Sequence, residues 1–239
     1  RGTSVEKVLG HAELLRGRVD GLNITDNQRA MMRMAPMALC HLLWERGHHP
    51  ILQITCRDRN RLALQADLLS CYALNIENLC VMSGDHPLLG DHPQAKPVYD
   101  LDSVQLIQLA RQLEKGVDWA GRNLEGAPRF VVGGVVNPLI EPLELQVIKL
   151  RKKVEAGAEF IQTQPFFERE PLERFLAATS GIGPVRFLIG ITPLKSVRMV
   201  QFMNDHILSR PIPAQVARRL GEARDPVREG IRIAAEFIS

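Results

Sequence analysis

Short apolar runs alternate with longer amphipathic segments along most of the chain. Six runs rich in Val, Ile, Leu and Phe have the length of buried strands. They are GLNIT (21–25), ILQIT (51–55), NLCVM (78–82), RFVVGGVV (129–136), EFIQT (159–163) and RFLIGIT (186–192). Most of them start about 30 residues apart, a period that fits a strand followed by a crossover helix. The pattern therefore predicts repeated β-α units and a parallel sheet.

Apolar residues at helical spacing predict helices between and after these strands. One predicted stripe consists of Leu62, Ala66, Leu69 and Ala73. Another helix is predicted over residues 143–154, and two more in PIPAQVARRL and DPVREGIRIAAEFIS. The last of these has Pro226 in its first turn and an apolar face of Val227, Ile231, Ala234 and Ile238. We expect each apolar face to pack against the protein interior.

A parallel sheet of this kind is either open and doubly wound or closed as an eight-stranded barrel. Almost every predicted strand ends in polar residues, as in Thr25-Asp26-Asn27-Gln28, Thr55-Cys56-Arg57-Asp58 and Gly84-Asp85. Polar ends on nearly all strands are typical of a barrel mouth, whereas an open sheet needs them only at its switch point. We therefore favour an α/β fold, a (β/α)8 TIM barrel forming one domain over residues 1–239. Its first strand would precede Arg1 and its last would follow Ser239.

Composition narrows the classes of partner. The chain has 30 Lys and Arg against 27 Asp and Glu, a formal net charge of +3, which is too small for a basic nucleic-acid-binding face. No apolar run approaches the roughly 20 residues of a membrane span, and the first residues lack a signal-peptide core. The spacing of the four cysteines along the chain matches neither a disulfide framework nor a zinc site. We expect a cytoplasmic protein that binds small molecules or other proteins.

The segment VMSGDHP (81–87) turns sharply from apolar to polar and places Asp85 after a predicted strand. A metal site would recruit His86, Asp91 and His92 as further ligands, and this is the weakest interpretation because catalytic zinc usually takes three well-placed ligands. The carboxylate could instead belong to a turn. As a third alternative, an anion at a barrel rim is well placed to stabilise a transient cation.

Two other strand ends are rich in polar groups. In ILQITCRDRNRLALQADLL, the residues Thr55, Arg57, Asp58, Arg59 and Asn60 form a polar run. These residues could bind the phosphates or the ring edge of a ligand. Alternatively, Asp58 or Asn60 caps the next helix, and the arginines are solvated. In EFIQTQPFFE, the Gln164 amide can bind the edge of a heterocycle, while Phe166 and Phe167 offer a stacking surface or belong to the core.

Several linked motifs together resemble the methylenetetrahydrofolate reductase family. They are ITCRDRNRLALQADLL, GDHP after a strand, KPVYDLDSVQLI, KKVEAGAEFIQTQPFF and IGITPL, in this order. The resemblance looks closest to the branch of bifunctional homocysteine methyltransferase/reductase proteins and acetogen-type reductases. It implies an eight-stranded β/α barrel that holds FAD at its mouth and reduces 5,10-methylenetetrahydrofolate to 5-methyltetrahydrofolate by hydride transfer. NADH, NADPH or a partner subunit would supply the electrons.

The resemblance also implies roles for individual residues. FAD would be bound by Thr25, Gln53, Ser83, Gly84, Asp85, Tyr99, Asn137 and Lys153. Gln164 and Asp85 would bind the folate substrate, and the Asp85 charge would stabilise its cationic iminium form. The catalytic acid of the family would lie on the strand expected before Arg1.

Two other functions remain open. A folate or corrinoid methyltransferase barrel would use the same pterin-binding rim without a flavin. A non-catalytic barrel subunit would keep the fold and dock on a redox partner. A homo-oligomer is compatible with each of these functions.

Overall fold

The computed structural model describes residues 2–239 and has an α/β fold. Its strands are β1 (Leu22–Ile24), β2 (Pro50–Thr55), β3 (Asn78–Met82), β4 (Val131–Val136), β5 (Phe160–Pro165) and β6 (Arg186–Gly190). Its helices are α1 (Glu6–Leu15), α2 (Pro36–Trp44), α3 (Arg61–Ala73), α4 (Ser103–Leu113), α5 (Leu143–Glu155), α6 (Arg169–Thr179), α7 (Val197–His206), α8 (Ala214–Glu222) and α9 (Pro226–Ile238). Two short 3-10 helices, Gln28–Ala30 and Pro87–Leu89, follow β1 and β3.

The strands form a sheet in chain order, β1-β2-β3-β4-β5-β6. In the first part of the sheet neighbouring strands are parallel, with Leu22 opposite Pro50, Leu52 opposite Leu79, and Leu79 opposite Val132. Parallel neighbours require crossover connections, which the intervening helices provide. The predicted α/β sheet is confirmed, while the complete eight-stranded barrel stays a prediction.

Capping residues explain where several helices begin. The Asn60 side chain accepts hydrogen bonds from the backbone N–H groups of Leu62 and Ala63 at the start of α3. Asp102 and Gln105 form a reciprocal capping box at the start of α4. Pro226 opens α9, where its missing N–H group costs no intrahelical bond. The capping role considered for Asn60 and the first-turn position predicted for Pro226 are therefore confirmed.

Packing divides the chain into two compact units, and the prediction of a single barrel domain is left untested. The first unit contains residues up to Gly134 together with Lys152–Phe160. Its most deeply buried large side chains are Leu43, Ile54, Leu64, Leu68, Ile76, Leu79, Leu101, Leu106, Ile107 and Leu109. These belong mainly to α2, α3, α4 and the strands β2 and β3.

The second unit contains Val135–Arg151 and Ile161–Ser239. One core cluster in this unit is formed by Leu194, Val200, Met203, Ile212, Val216 and Leu220. A group of aromatic rings is also packed here, with the centroids of Phe175 and Phe187 5.2 Å apart in an edge-to-face arrangement. No helix within residues 2–239 is both long and apolar enough to cross a membrane.

The predicted packing face of α3 is wrong. Leu62 is 73% exposed and Leu69 is 38% exposed, whereas Leu64, Leu68 and Cys71 are fully buried. Both sets have helical spacing, so the periodicity alone does not distinguish them. Leu64, Leu68 and Cys71 are buried because they face the apolar side chains of the first unit.

The predicted packing face of α9 is also wrong. The three large residues of that face are exposed, namely Val227, Ile231 and Ile238. Gly230 is buried instead, and a side chain on it would collide with the main-chain oxygen of Leu194. The absence of a Cβ at residue 230 lets the backbone of α9 approach this loop closely, which fixes the rotation of the helix.

Candidate functional site

Strands β1 and β2 bring two of the predicted FAD ligands close together. Ile24 pairs with Leu52, so Thr25, just after β1, and Gln53, within β2, follow at neighbouring positions. Gln53 is only 9% exposed and lies opposite Cys80 of β3. A hydroxyl and an amide therefore lie next to each other in the first unit, where both can donate and accept hydrogen bonds.

Asp26 is a buried carboxylate two residues after the end of β1. Its Oδ2 atom accepts hydrogen bonds from the Thr55 backbone N–H at 3.0 Å, the Thr55 Oγ1 at 2.9 Å and the Arg59 Nη1 at 2.7 Å. Its Oδ1 atom is buried and has no hydrogen-bond partner within residues 2–239. Buried polar atoms are normally satisfied, so this oxygen is an acceptor available to a bound molecule. Asp26 was not among the predicted site residues, although a carboxylate directly after the predicted strand 21–25 is a usable signal.

Arg57 lies at the centre of a second group of contacts, just after β2. It is 2% exposed and makes a forked pair with Asp58, with distances of 2.8 Å from Nε to Oδ1 and 2.6 Å from Nη2 to Oδ2. Hydrogen bonding within this pair raises the pKa of Arg57 and lowers the pKa of Asp58. The alternative that the arginines of this run are solvated is therefore wrong for Arg57.

Asp85 lies in the loop after β3, where two neighbouring segments hold it. Its Oδ2 atom accepts a hydrogen bond from the backbone N–H of Arg29 at 3.0 Å. Its main-chain oxygen accepts a hydrogen bond from Nη1 of Arg57 at 3.2 Å. The residue itself is exposed. One carboxylate oxygen is therefore fixed by a hydrogen bond, while the side chain stays accessible to a ligand.

Gly84 and Tyr99 fix the backbone of the same loop. Gly84 has a φ of +89°, and a Cβ added to it would lie 3.0 Å from the Cβ of Thr55. A glycine is needed for this conformation and this close approach. The Tyr99 hydroxyl donates to the Gly84 main-chain oxygen at 3.0 Å, and partial burial raises the pKa of Tyr99, with a further contribution from the Asp85 charge. Ser83 is exposed beside them.

The second GDHP sequence, at 90–93, repeats the backbone contact of the first. Asp91 Oδ1 accepts a hydrogen bond from the backbone N–H of Met32 at 3.0 Å and lies 2.9 Å from Nδ1 of His92. His86 accepts a hydrogen bond from the Leu88 N–H and caps the 3-10 helix that follows. In the part of the chain that the structure describes, no three His, Cys, Asp or Glu side chains are placed to hold a metal ion. Both repeated aspartates thus bind the segment that follows β1.

Lys153 lies within electrostatic range of the β2 and β3 ends. Burial raises the pKa of the Cys56 and Cys80 thiols to about 12, and the positive charge of Lys153 opposes this increase for both. The lysine is partly buried on α5. The positive charge of Lys153 therefore lies on the first unit, near Cys56 and Cys80.

The remaining two predicted ligands belong to the second unit. The Asn137 amide donates to Ser209 Oγ at 2.9 Å and accepts from the Leu139 N–H at 3.1 Å, so it is engaged in local contacts. Gln164 is exposed at the end of β5. Phe166 is buried, which confirms that at least one aromatic residue of this segment belongs to the core. The functional roles of all predicted ligands stay predictions.

Comparisons with known proteins point to one family. The profile of the family described as Methylenetetrahydrofolate reductase matches residues 3–239. "Methylenetetrahydrofolate reductase 2" of Schizosaccharomyces pombe is 28% identical over 200 residues, which cover 80% of this chain and 31% of that protein. "Probable methylenetetrahydrofolate reductase (NADPH)" of Caenorhabditis elegans is 24% identical over 160 residues, which cover 65% of this chain and 22% of that protein. The chain thus spans less than a third of the length of either relative.

A solved structure shares the fold. It is an uncharacterised protein from Clostridium thermocellum, described as binding two copies of 5-methyl-5,6,7,8-tetrahydrofolic acid. The superposition has a TM-score of 0.69 at 14% sequence identity and covers 100% of this chain and 78% of that one. At this identity the similarity concerns the fold alone. The family profile, in contrast, covers almost every residue, and the chain therefore belongs to the methylenetetrahydrofolate reductase family.

Proposed function

We propose that this chain carries the folate-reducing site of a flavin-dependent reductase that converts 5,10-methylenetetrahydrofolate to 5-methyltetrahydrofolate. Family membership supports the reductase class. The observation that carries the proposal is the position of Asp85, whose main chain and Oδ2 atom are both held by hydrogen bonds. A carboxylate fixed in this way can act on a developing positive charge without first reorganising.

The polar groups of the first unit fit FAD. The edge of a flavin ring presents both donors and acceptors, which the Thr25 hydroxyl and the Gln53 amide can satisfy. The Oδ1 atom of Asp26, which has no partner within residues 2–239, is a further acceptor on this unit. Lys153 offers a positive charge for the diphosphate. Ser83, Gly84, Asp85 and Tyr99 complete the proposed FAD-binding set of this unit. Bound FAD would supply the hydride, and NADH, NADPH or a partner subunit the electrons.

The proposed role of Asp85 is electrostatic. When the five-membered ring of methylenetetrahydrofolate opens, one carbon–nitrogen bond breaks, the departing nitrogen takes a proton, and a cationic iminium remains on the other nitrogen. A nearby carboxylate lowers the free energy of this cation. The iminium carbon then accepts a hydride and becomes the neutral methyl group of the product. The fixed Asp85 charge therefore favours the reactive form of the substrate.

Replacing Gln164 by alanine is expected to weaken folate binding about 5–30-fold, because a hydrogen-bonded amide contributes about 1–2 kcal/mol to such a contact. The FAD content should not change. Titration with 5-methyltetrahydrofolate measures the first quantity, and flavin absorbance per protein measures the second. Gln215→Ala is the matched control, since Gln215 is an exposed glutamine on α8. Loss of FAD from the Gln164 variant would mean that the assignment of Gln164 to the folate is wrong.

The absorption spectrum of the purified protein tests the function as a whole. We expect the spectrum of oxidised flavin, bleaching when an electron donor is added, and recovery of the colour when methylenetetrahydrofolate follows. A colourless protein that releases no flavin on denaturation would contradict the proposal. Binding of methyltetrahydrofolate without flavin would then indicate a methyltransferase, and failure to bind any folate would indicate a non-catalytic subunit.

A further inference from the structure

Arg57 connects the two backbone segments that hold Asp85. Its Nη1 atom donates to the main-chain oxygen of Asp85 at 3.2 Å and lies 3.4 Å from the main-chain oxygen of Asn27. We propose that the Arg57–Asp58 pair is a positioning element that sets the location of the Asp85 carboxylate. This inference rests on the proposed function, because it assigns to Arg57 an effect that is transmitted through Asp85.

The segment after β1 completes the arrangement. Asn27, Arg29 and Ala30 all have left-handed backbone conformations, with φ values of 44°, 57° and 53°. Such conformations are unfavourable for residues other than glycine and persist when surrounding contacts impose them. This backbone path directs the Arg29 N–H to Oδ2 of Asp85. By binding Asn27 and Asp85 together, Arg57 thus supports the donor and the acceptor of that hydrogen bond.

Burial and geometry make Arg57 difficult to replace. Its side chain is 3% exposed, and a buried charge is tolerated only when it is paired and hydrogen-bonded. The forked pair with Asp58 uses Nε and Nη2, which leaves Nη1 for the two main-chain oxygens. A lysine has the same charge but a single nitrogen, so it cannot make the forked pair and these backbone contacts together.

Arg61 provides a matched comparison on the same unit. It makes a forked pair with Asp100, at 2.8 Å for both contacts, but its side chain is 48% exposed. Exposed pairs of this kind contribute little, because water and salt screen them. Arg57→Lys and Arg61→Lys therefore make the same chemical change, once in the pair that binds the Asp85 loop and once in a pair at the surface.

A double-mutant cycle tests the positioning role. The cycle compares the single variants Arg57→Lys, Asp58→Asn and Asp85→Asn with the double variant Arg57→Lys/Asp85→Asn. Stopped-flow absorbance follows flavin reduction and flavin oxidation separately. We expect Arg57→Lys to slow flavin oxidation by methylenetetrahydrofolate about tenfold, as positional errors at reactive sites do, with flavin reduction unchanged. The double variant should be no slower than Asp85→Asn alone, because both changes remove the same effect. Arg61→Lys should retain the wild-type rate.

Additive losses in the double variant would overturn the positioning role, as would equal slowing of both half-reactions by Arg57→Lys. If Arg57→Lys does not fold, the cycle is measured with Asp58→Asn in place of Arg57→Lys. The wild-type Asp58 carboxylate holds the Arg57 guanidinium in place, and its side chain is 39% exposed. A normal folate half-reaction in Asp85→Asn, in contrast, would count against the proposed function itself. The two failures are therefore distinguishable.

Discussion

Asp85→Asn is expected to slow the reduction of methylenetetrahydrofolate at least about 30-fold, which corresponds to a loss of about 2 kcal/mol of transition-state stabilisation. The asparagine keeps the shape of the side chain and its acceptor for the Arg29 N–H, but it removes the negative charge. Flavin reduction by the electron donor should change much less, because no cationic iminium forms in that half-reaction. Stopped-flow absorbance of the flavin measures both rates separately.

The second GDHP sequence offers the control for this substitution. Asp91 accepts a backbone N–H from Met32 just as Asp85 accepts one from Arg29, at 3.0 Å in both cases. Asp91→Asn makes the same chemical change at a carboxylate that has no proposed role in the reaction, so we expect a nearly normal folate half-reaction. Comparable slowing of the two half-reactions in Asp85→Asn would show that the charge does not act on the substrate.

Asp26→Ala is expected to destabilise the protein by about 3–5 kcal/mol, because it leaves the Arg59 guanidinium and the Thr55 groups without their buried acceptor. The Asp26 side chain is 0% exposed and receives three hydrogen bonds on Oδ2. Removing one partner of a buried ion pair is costly because the other charge, on the 19%-exposed side chain of Arg59, keeps only its pair with the more exposed Asp67. The free energy of unfolding from urea denaturation measures the loss.

Asp67→Ala is the matched control, because Asp67 binds the same arginine. Its Oδ2 lies 2.7 Å from Arg59 Nε, the same separation as that between Asp26 Oδ2 and Arg59 Nη1, but its side chain is 34% exposed. We expect a loss of no more than about 1 kcal/mol, as for other solvent-exposed pairs. Equal losses for both substitutions would mean that burial does not determine the strength of these contacts.

The strands were largely predictable from the sequence. The run at 78–82 coincides with β3, and the run at 51–55 differs from β2 by one residue. Strands buried on both faces of a parallel sheet read as continuous apolar runs, which polar residues end sharply. For the same reason, the position of Asp85 just beyond β3 followed from the sequence.

The helix faces were less predictable, because periodicity counts apolar residues without showing what lies opposite them. On α3 two sets of apolar residues share the helical period, and the predicted set is the exposed one. On α9 a single glycine, Gly230, decides the orientation through its close approach to Leu194. Such an approach depends on the partner backbone, for which the sequence of the helix contains no signal.

The sequence by itself determined the β-α order, the family resemblance and the placement of polar residues after each strand. Only the tertiary structure decided which of these residues act together. Arg57 and Asp85 are 28 residues apart along the chain, and Arg29 and Asp85 are 56 apart, yet each pair is joined by a hydrogen bond. The same holds for the buried bonds of Asp26 to Thr55 and Arg59. These contacts form because parallel strands bring their carboxyl ends to one edge of the sheet, where side chains distant in sequence become neighbours.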